Sequence, residues 1–509
     1  MRSLHSLLAE VPGLSLQAFP TEDSVITGLT ADSRAVESGF LFVAWQGKSQ
    51  DGHNFIPEAL ARGASAILAE KSPPIPPPVP LIVVSDARLA YSYLCGAWFN
   101  HPARRLFVVG ITGTNGKSST AYYLYQLWRK AGYRTGLIGT VFCKADEETL
   151  PPTLTTPDSY VLHKLLADFE KRGITHVVME VSSIALDQHR TAAVPFSGAI
   201  FTNLTHDHLD YHGSFTAYRD AKKRLFDGLS PESYALTNID DRHGAFMLQN
   251  TRANRYGYSR RQPADFQGTL LEAGIWGLSF RLRLSPVRGI PSAEELPLVD
   301  VGIVGEFQLE NLLAAWGAAI LSERPGDSAS RWIEVGRFYA EALSEVQGLP
   351  GRMEAIPLSK GRVGIVDYAH TPDAVEKVLR VLRGLVPSGG QLIAVLGAGG
   401  NRDASKRPLM AQQAALHADV VWLTSDNPRH EPPEAIIDDM YRPLPAHLRQ
   451  KIFKEPDRRE AILRAVQAAP PHSLIAVLGK GHETYQEIQG IKYPFSDREV
   501  LLQTSHIVP

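Results

Sequence analysis

The sequence predicts an α/β protein of three domains, on two observations. Short apolar runs alternate with helix-like segments along the chain, and its 509 residues are more than one hydrophobic core usually fills. This alternation breaks at 100–104, where a Pro follows the end of a helical pattern, and at 346–352, where Gly and Pro intervene. We therefore expect domains at 1–103, 104–349 and 350–509.

The composition indicates a folded protein without a strong overall charge. Hydrophobic residues make up 44% of the chain and charged residues 21%, which is typical of globular rather than disordered proteins. The formal net charge is −2, so no basic field attracts nucleic acid or anionic lipid, and any phosphate binding has to be local. We expect small-molecule substrates, no nucleic-acid or membrane partner, and a monomer.

Cysteine content and hydropathy favour a cytoplasmic protein. Cys95 and Cys143 are too few for a disulfide framework and form no Cys-x-x-Cys zinc pair. Residues 1–13 lack the apolar core and cleavage site of a signal peptide, and no run of about 18 apolar residues occurs.

The first domain is predicted as a small α/β domain with a stiff surface loop. A proline-rich stretch at 72–80 lies between two strand-like runs, 66–68 and 81–84. Proline fixes φ and lacks a backbone donor, so this stretch is expected to be neither helix nor central strand.

The central domain is predicted to open with a phosphate-binding loop. A strand-like run at 105–111 precedes the turn Thr112-Gly-Thr-Asn-Gly-Lys-Ser118, and a helical pattern follows from Ser119 onward. In a Gly-rich loop at a helix N-terminus, backbone N–H groups point at an anion and a lysine completes the cradle. Ile111 replaces the usual first glycine, so a plain turn with an exposed lysine is the alternative. The loop predicts a P-loop-type mononucleotide-binding ATPase domain in which Lys117 contacts phosphate and Ser118 contacts Mg²⁺.

A second cluster of chemically active residues follows two buried-strand patterns of the central domain. Glu180 stands near the end of the run 175–181, and Thr205-His-Asp-His-Leu-Asp210 follows the run 198–203. Oxygen ligands suit Mg²⁺, while the His-x-His pattern with flanking Asp suggests zinc or only a solvated loop; all three interpretations stay open. The run Lys222-Lys-Arg224 reads as an exposed helical face.

The last domain is predicted as a Rossmann-like parallel sheet with crossover helices. Its apolar runs are 363–366, 392–396, 420–423 and 474–478. The polar loops that follow them are Asp367–His370, Gly397–Asp403, Ser425–Arg429 and Gly479–Glu483. Loops that follow parallel strands emerge at the same edge of the sheet, so we expect these four to face one crevice.

Arginine in that crevice has two interpretations. The segment Asp426-Asn-Pro-Arg429 consists of ordinary turn formers and could be only a tight turn. Arginine also suits the bidentate binding of a carboxylate, and Arg402 lies in a neighbouring loop. Two arginines and Glu483 would suit a ligand with carboxylate and ammonium groups, which is an amino acid.

Taken in order, the motifs of this chain resemble the Mur ligase family, and within it the branch that adds meso-diaminopimelate. The resemblance covers nearly the whole chain. Its motifs are Asp32-Ser-Arg34, Gly47, Asp51-Gly-His53, Thr114-Asn-Gly-Lys117, Thr155-Thr-Pro157, Glu180-Val-Ser-Ser183, Gln188-His-Arg190, Asp207-His-Leu-Asp210, Ala221-Lys222, Gly351-Arg352, Asp367-Tyr-Ala-His370, Asn401-Arg-Asp403, Asp426-Asn-Pro-Arg429 and Gly479-Lys-Gly-His-Glu483.

The resemblance implies an ATP-dependent amide ligase of peptidoglycan biosynthesis. Such an enzyme joins an amino acid to the D-glutamate γ-carboxylate of UDP-MurNAc-L-Ala-D-Glu through an acyl phosphate. Arg429 implies meso-diaminopimelate, because its guanidinium can pair with the distal carboxylate that lysine lacks. The alternatives are L-lysine or another diamino acid as substrate, a related Mur ligase or folylpolyglutamate synthase, and a nucleotide-binding protein without ligase activity.

The resemblance also implies roles for individual residues. Catalytic roles fall on Lys117, His208 and Lys222. The ATP positions are Gly113, Thr114, Asn115, Gly116, Lys117, Ser118, Ser119, Asn311, Arg352 and Asp367. The positions for UDP-MurNAc-dipeptide are Ser33, Lys48, Ser49, Gln50, Thr155, Thr156, Ser182, Gln188 and Arg190. The positions for diaminopimelate are Arg402, Asp426, Asn427, Pro428, Arg429, Gly479 and Glu483.

The implied cofactor is Mg²⁺, with ATP as a substrate. The implied magnesium ligands are Ser118, Glu180, His208 and Lys222, with Lys222 carbamylated to N6-carboxylysine. A carbamate turns the lysine into an anionic oxygen ligand, which replaces the interpretation of Lys222 as part of an exposed face.

Overall fold

Two compact units make up the part of the chain that the structure describes. A computed structural model describes residues 1–14, 20, 22–47, 50–151, 154–205, 207–285, 294–326 and 328–507. One unit comprises Met1–Gln267, Leu284–Ser292 and Leu313–Val335, and the other comprises Gly268–Arg283, Ala293–Leu312 and Gly336–Pro509.

A parallel four-stranded sheet, in the order β3-β4-β5-β6, forms the centre of the first hundred residues. The strands of this region are β1 Arg2–Ser3, β2 Val25–Ile26, β3 Gly28–Thr30, β4 Phe40–Ala44, β5 Ala66–Ala69 and β6 Leu81–Val83. Its helices are α1 Leu4–Leu8, α2 Ile56–Ala61 and α3 Ala87–Trp98. Alternate residues of β4 enter two different apolar clusters, Leu41 on one side and Phe42 on the other, so both faces are covered. The proline-rich stretch 72–80 contains neither helix nor strand, as predicted.

The central strands follow with β7 in the middle, in the order β10-β9-β8-β11-β7-β12-β13-β14. They are β7 Phe107–Thr112, β8 Thr135–Ile138, β9 Cys143–Ala145, β10 Glu148–Thr149, β11 His176–Glu180, β12 Gly198–Phe201, β13 Tyr234–Asn238 and β14 Asn254–Ser259. The helices are α4 Lys117–Lys130, α5 Ser159–Lys171, α6 Ser183–Asp187, α7 Leu209–His212, α8 Phe215–Asp227 and α9 Gly244–Met247. Apart from β9 and β10, these strands pair in parallel. Their carboxyl ends therefore share one edge, to which Thr112 and Glu180 belong.

Three more strands and two helices precede the last sheet. They are β15 Phe266–Gly274, β16 Gly277–Leu284, β17 Glu294–Val301, α10 Gln308–Ser322 and α11 Ala329–Leu343.

A six-stranded sheet in the order β18-β19-β23-β20-β21-β22 lies in the second unit, parallel except for β18. Its strands and the hairpin that follows are β18 Glu354–Pro357, β19 Val363–Asp367, β20 Leu392–Leu396, β21 Val420–Leu423, β22 Ile452–Lys454, β23 Leu474–Leu478, β24 Tyr485–Ile488 and β25 Ile491–Pro494. The helices are α12 Pro372–Leu385, α13 Lys406–His417, α14 Pro433–Tyr441, α15 Ala446–Arg449, α16 Arg458–Ala468 and α17 Asp497–Ile507.

The predicted α/β class, with a largely parallel sheet in each of three segments, is confirmed. All four strands expected in the last domain are present, whereas β18 and the edge strand β22 are additional. The central strand begins at Phe107, two residues later than predicted, because Pro102–Arg105 forms a 3-10 turn. The helix after the Gly-rich turn begins at Lys117, not at Ser119. The boundaries 1–103, 104–349 and 350–509 stay a prediction, and within the described ranges no helix has the length and apolar character needed to cross a membrane.

Candidate active site

The Gly-rich loop begins where the central strand β7 ends and runs into helix α4. Gly113 has φ +152°, and a Cβ there would lie 1.9 Å from the Oγ1 atom of Thr202, so only glycine fits. The loop is fixed by its neighbours: the Thr114 N–H donates to the Asn203 carbonyl oxygen at 2.8 Å, and the Asn115 N–H donates to Asn203 Oδ1 at 3.0 Å. Its shape is therefore set by protein contacts, as a preorganised phosphate cradle requires.

Two lysine side chains converge on this loop. Lys117 Nζ donates to the carbonyl oxygens of Gly113 and Thr114, both at 2.9 Å, and Lys222 Nζ donates to that of Gly113 at 2.7 Å. Burial, followed by the positive charge of Lys117, lowers the pKa of Lys222 well below its usual value, while Asp207 opposes the shift. Lys222 therefore has a strongly destabilised ammonium form.

The sequence-based interpretation of 222–224 as an exposed face is wrong for two of its three residues. Lys222 is 1% exposed and Lys223 is 8% exposed, and only Arg224 faces solvent. The buried Lys223 ammonium donates hydrogen bonds to the Gln249 carbonyl oxygen and to Asp227. A local charge pattern does not reveal these acceptors, because Gly113 and Gln249 are distant in sequence.

Tyr218 links the pieces of this site and was not predicted. Its hydroxyl lies 3.0 Å from Thr114 Oγ1, its ring lies 4.5 Å below the Lys222 ammonium, and its ring centroid lies 6.2 Å from that of His208. The spacing of Tyr218 and Lys222, four residues apart on α8, was the available signal, because such residues share a helix face.

A buried carboxylate stands beside the loop. Glu180 is 2% exposed, and its Oε2 atom accepts a hydrogen bond from Ser118 Oγ at 2.9 Å while Oε1 accepts one from the Thr140 N–H at 2.7 Å. The structure thus brings together Ser118 and Glu180 as predicted. His208 is exposed with φ +52°, and its Nε2 atom lies 3.5 Å from Asp207 Oδ2. Its contacts are with Asp207 and Tyr218, not with Glu180.

The donor set beside the loop fits Mg²⁺ better than zinc. Among the residues that the structure describes, no three His, Cys, Asp or Glu side chains stand close enough to hold a metal on their own. Protein zinc sites usually need three or four such ligands, whereas Mg²⁺ is commonly held by one or two oxygen side chains plus substrate phosphates and water. The Ser118 and Glu180 oxygens match the second pattern. His206, part of the zinc alternative, lies outside the described residues.

A network of hydrogen bonds joins five of the predicted nucleotide-sugar residues near Glu180. Thr155 and Thr140 share a hydrogen bond at 2.9 Å between their hydroxyls, and Thr156 Oγ1 donates to the Glu180 carbonyl oxygen at 2.9 Å and accepts from the Ser182 N–H at 3.0 Å. The Arg190 guanidinium donates to Gln188 Oε1 at 2.7 and 3.0 Å and to the Thr156 carbonyl oxygen at 2.9 Å. Burial lowers the pKa of Arg190, so the network holds a partly desolvated cation that can attract an anion.

Ser33 and Gln50, two further predicted nucleotide-sugar residues, belong to the segment that contains the first sheet. Ser33 is 7% exposed, and its hydroxyl donates to Glu58 Oε2 at 2.8 Å. Gln50 is exposed, and its carbonyl oxygen accepts from the Gly47 N–H at 2.9 Å. Lys48 and Ser49 lie outside the described residues. These contacts do not extend to the network around Thr156.

Asn311, Arg352 and Asp367, the predicted nucleotide residues of the second unit, are all anchored by the fold. The buried Asp367 carboxylate accepts hydrogen bonds at 2.8 Å from the N–H groups of Met353 and Ala369. Burial raises the pKa of Asp367, and the positive charge of Arg352 opposes that shift. The Arg352 guanidinium lies 4.7 Å over the ring of Tyr368, and Asn311 Nδ2 donates to Gln308 Oε1 at 2.8 Å. An aromatic ring beside a cation is suited to a nucleoside.

The polar loops after β20 and β21 bring Arg402 and Arg429 together. A Cβ on Gly399 would lie 3.1 Å from Arg429 Nη1 and 3.6 Å from Arg402 Cγ, so the two side chains flank this glycine. Arg402 is exposed. Gly400 packs against the Pro428 carbonyl oxygen, which a Cβ would approach to 1.9 Å. The two arginines of the predicted crevice therefore lie close together within the second unit.

A buried lysine organises the acidic side of the same crevice. Lys480 is fully buried, and its Nζ atom donates to Asn427 Oδ1 at 3.1 Å and to Glu483 Oε2 at 3.0 Å. Glu483 Oε2 also accepts from Asn427 Nδ2 at 2.8 Å. Gly479 has φ +114°, and a Cβ there would lie 2.4 Å from Asp426 Oδ2, so this position requires glycine. The sequence motif Gly479–Glu483 includes Lys480, but the sequence predicted no role for this residue.

An ion pair with no exposed surface supports these loops from below. Arg458 donates to both carboxylate oxygens of Asp497 at 2.7 Å, and its remaining donors reach the carbonyl oxygens of Ser425 at 3.3 Å and Leu478 at 3.0 Å. Both acceptor residues directly precede predicted site residues. Arg458 lies on α16 and Asp497 on α17. The sequence around each residue gave no indication that the two form a buried ion pair.

Comparisons with known proteins cover almost the full length of the chain. Family models match in three places: the Mur ligase family, catalytic domain, at 25–91, the Mur ligase middle domain at 111–319, and the Mur ligase, glutamate ligase domain at 351–481. UDP-N-acetylmuramoyl-L-alanyl-D-glutamate--2,6-diaminopimelate ligase of Phocaeicola vulgatus is 43% identical over 477 residues, which cover 94% of each chain. The protein of the same name from Aquifex aeolicus is 39% identical over 483 residues, which cover 94% of this chain and 93% of that one.

Solved structures show the same relationship. A structure of UDP-N-acetylmuramoyl-L-alanyl-D-glutamate--2,6-diaminopimelate ligase aligns over 98% of both chains, with a TM-score of 0.65 and 32% identity. The MurF ligase of Thermotoga maritima in complex with ADP aligns over 94% of this chain and 97% of that one, with a TM-score of 0.57 and 18% identity, which is a likeness of fold. Because the family models match all three segments and relatives above 30% identity align along nearly the whole length, this chain belongs to the Mur ligase family.

Proposed function

We propose that this chain is an ATP-dependent amide ligase that adds meso-diaminopimelate to the D-glutamate γ-carboxylate of UDP-MurNAc-L-Ala-D-Glu. The observation that carries the proposal is that Arg402 and Arg429 flank Gly399 in the same group of loops as the bonded side chains of Asn427 and Glu483. The names of relatives 43% identical along 94% of both lengths support the same substrate.

The phosphate half of the reaction belongs to the loop after β7. ATP binds with its phosphates against the N-terminus of α4, where the loop Gly113–Ser119 offers backbone N–H groups and Lys117 offers a positive charge. The substrate carboxylate takes the γ-phosphoryl group and becomes an acyl phosphate, with ADP as the leaving group. Phosphoryl transfer is mostly a matter of positioning and charge neutralisation, which these groups supply.

The magnesium ligands proposed on this chain are Ser118, Glu180, His208 and a carbamate on Lys222. When bound, Mg²⁺ neutralises phosphate charge. The oxygen atoms of Ser118 and Glu180 already lie 2.9 Å from each other, which supports these two ligands.

The surroundings of Lys222 support its carbamylation. A neutral amine attacks carbon dioxide to give a carbamate and a proton, and burial together with Lys117 favours the neutral amine at Lys222. The product is an anion beside the Lys117 ammonium, so the modification replaces a repulsion with an attraction.

The two organic substrates occupy separate groups of residues. The UDP-MurNAc-dipeptide is held by Ser33, the stretch 48–50 and the network of Thr155, Thr156, Ser182, Gln188 and Arg190, whose desolvated guanidinium suits a carboxylate or phosphate. Diaminopimelate is held by Arg402, Asp426, Asn427, Pro428, Arg429, Gly479 and Glu483. Its amine attacks the acyl phosphate carbon, and the tetrahedral intermediate expels phosphate.

The proposed nucleoside contacts come from Asn311, Arg352 and Asp367, supported by the stacking of Arg352 on Tyr368. We further propose a cytoplasmic monomer without nucleic-acid or membrane partners, which agrees with a net charge of −2 and with the two free, buried cysteines.

The test is release of phosphate from ATP in the presence of UDP-MurNAc-L-Ala-D-Glu and, in separate reactions, meso-diaminopimelate, L-lysine or L-ornithine. We expect turnover with diaminopimelate only when the nucleotide dipeptide is present, and formation of the tripeptide product by mass spectrometry. Equal turnover with lysine would overturn the choice of amino acid. Phosphate release that needs neither substrate would overturn the ligase.

A further inference from the structure

Arg429 is held by an acidic residue of the hairpin β24–β25, Glu487. Arg429 Nε donates to Glu487 Oε2 at 3.2 Å, and Nη1 donates to the Gly400 carbonyl oxygen at 2.7 Å. Two backbone hydrogen bonds also link these segments. The Arg429 N–H donates to the Glu487 carbonyl oxygen at 3.0 Å, and the Gln489 N–H donates to the Arg429 carbonyl oxygen at 2.6 Å. The guanidinium orientation is therefore fixed from two sides.

The ion pair leaves binding capacity on both partners. Within the described ranges, Nη2 of Arg429 and Oε1 of Glu487 have no hydrogen-bond partner. The side chains are 22% and 24% exposed, so the ion pair is partly open to solvent. A guanidinium edge and a carboxylate oxygen thus lie side by side.

Glu483 differs from Glu487 in this respect. Its Oε2 atom already accepts hydrogen bonds from Lys480 at 3.0 Å and Asn427 at 2.8 Å, so the buried ammonium of Lys480 compensates its charge. Among the residues that the structure describes, Arg429 is the one cation paired with Glu487, and its guanidinium would be shared once a ligand carboxylate arrives. Glu487 is then the carboxylate with charge to offer a second cation.

We propose that Glu487 is a specificity-determining residue: with Arg429 it forms an ion pair complementary to the far end of the diamino acid, binding the distal ammonium while Arg429 binds the distal carboxylate. This rests on the proposed function. A substrate with only a distal carboxylate would be repelled by the negative charge of Glu487. A substrate with only a distal ammonium would offer no carboxylate to Arg429. The pair therefore selects a substrate whose far end carries both groups.

The test uses the full-length enzyme and three amino acids that differ only at the far end: meso-diaminopimelate, L-2-aminopimelate without the distal ammonium, and L-lysine without the distal carboxylate. The variant Glu487→Gln keeps a hydrogen-bond acceptor for Arg429 Nε but removes the negative charge. We expect its KM for diaminopimelate to rise about 10-fold and its KM for aminopimelate to stay unchanged or fall, since the first substrate loses a charge-assisted contact whereas the second loses a repulsion between carboxylates. The kcat with diaminopimelate and the KM for ATP should stay near the wild-type values.

Two further variants separate charge recognition from loosening of the hairpin. Lys492, the cross-strand neighbour of Glu487, is a matched control, and Lys492→Ala should leave the preference for diaminopimelate over aminopimelate unchanged. Glu487→Asp keeps the charge and should retain most of that preference. If Glu487→Gln raises the KM values of diaminopimelate and aminopimelate equally, or if it changes neither, the role of Glu487 is overturned. A wild-type enzyme that does not use diaminopimelate at all would instead contradict the proposed function.

Discussion

The side-chain nitrogens of Lys117 and Lys222 donate to the same acceptor, the carbonyl oxygen of Gly113, at 2.9 and 2.7 Å. Two amines thus meet at one weakly negative atom, and Lys222 is 1% exposed. Such a site is costly when both amines are charged, because little water remains to screen their repulsion. A carbamate on Lys222 removes this conflict, so the geometry itself favours the modification.

Lys222→Ala is expected to lower kcat by at least about 100-fold, since it removes both the buried amine and the proposed carbamate from the phosphate site. Added acetate or another short carboxylate should restore part of the activity by occupying the space of the lost carbamate. The measurement is phosphate release with and without 0.1–0.3 M acetate, roughly the concentrations at which weak anion binding becomes visible.

Lys223 is the matched control for this rescue. It is the adjacent buried lysine, but its ammonium bonds to Asp227 and the Gln249 carbonyl oxygen. Lys223→Ala should lower stability, and acetate should give no gain in activity. Full activity of Lys222→Ala without any added anion would eliminate the proposed role.

Gly139→Ala should impair Mg²⁺ use while leaving the fold intact. A Cβ on Gly139 would lie 2.5 Å from Glu180 Oε1, so the carboxylate has to move and loses its hydrogen bond from the Thr140 N–H. We expect the Mg²⁺ concentration for half-maximal activity to rise about 10-fold, which corresponds to the loss of one charge-assisted contact.

A glycine with free space around it provides the control for that variant. Gly384 is the next-to-last residue of helix α12, and a Cβ there would meet nothing within 4 Å. Gly384→Ala should leave the Mg²⁺ dependence unchanged and raise the free energy of unfolding by no more than about 0.5 kcal/mol, because alanine favours a helix but this position lies in its last turn. An unchanged Mg²⁺ dependence in Gly139→Ala would argue against Glu180 as a ligand.

The apolar runs of the last domain predicted its strands well because a parallel sheet is buried on both faces. The run 392–396 matches β20 residue for residue, and all five of its residues are buried. The edge strand β22 escaped prediction because only Ile452 of its three residues is buried, so it has no apolar run. The early start predicted for β7 failed because the charged 3-10 turn Pro102–Arg105 precedes it.

For the candidate site, sequence motifs located the residues next to strand ends. They did not locate the residues distant in sequence that contact those motifs in the folded chain. The Gly-rich loop and Glu180 follow directly from strand patterns. Tyr218 and Glu487 do not, because each acts on a residue brought close only by folding: Tyr218 on Thr114, and Glu487 on Arg429. The contact partners of a buried charge are set by tertiary structure, which explains why the burial of Lys222 was also missed.

Replacement of Arg458 should cost stability and weaken binding of the diamino acid. Arg458→Met leaves the Asp497 carboxylate buried without its partner, and such a loss typically costs about 3–5 kcal/mol. The same change removes the donors to the carbonyl oxygens of Ser425 and Leu478, which precede two loops of the crevice. The urea midpoint should therefore fall and the KM for diaminopimelate should rise.

The double variant Arg458→Met with Asp497→Leu distinguishes the buried charge from general packing. Because it removes both charges, it should recover a large part of the lost stability. A double variant as unstable as the single one would show that the unpaired carboxylate is not the cause.

Acid sensitivity of the first unit should depend on His163. Its ring is fully buried on α5, neither ring nitrogen has a hydrogen-bond partner among the described residues, and burial lowers its pKa to about 4. In the unfolded chain this imidazole has a pKa near 6.5. Below that pH the unfolded state binds a proton that the folded state does not, so the free energy of unfolding falls as the pH decreases from about 6.5 toward 4. Between pH 7 and 5, His163→Leu should lose about 2 kcal/mol less unfolding free energy than the wild type, measured by urea denaturation, because leucine takes up no proton. Equal losses in both proteins would show that His163 does not carry this sensitivity.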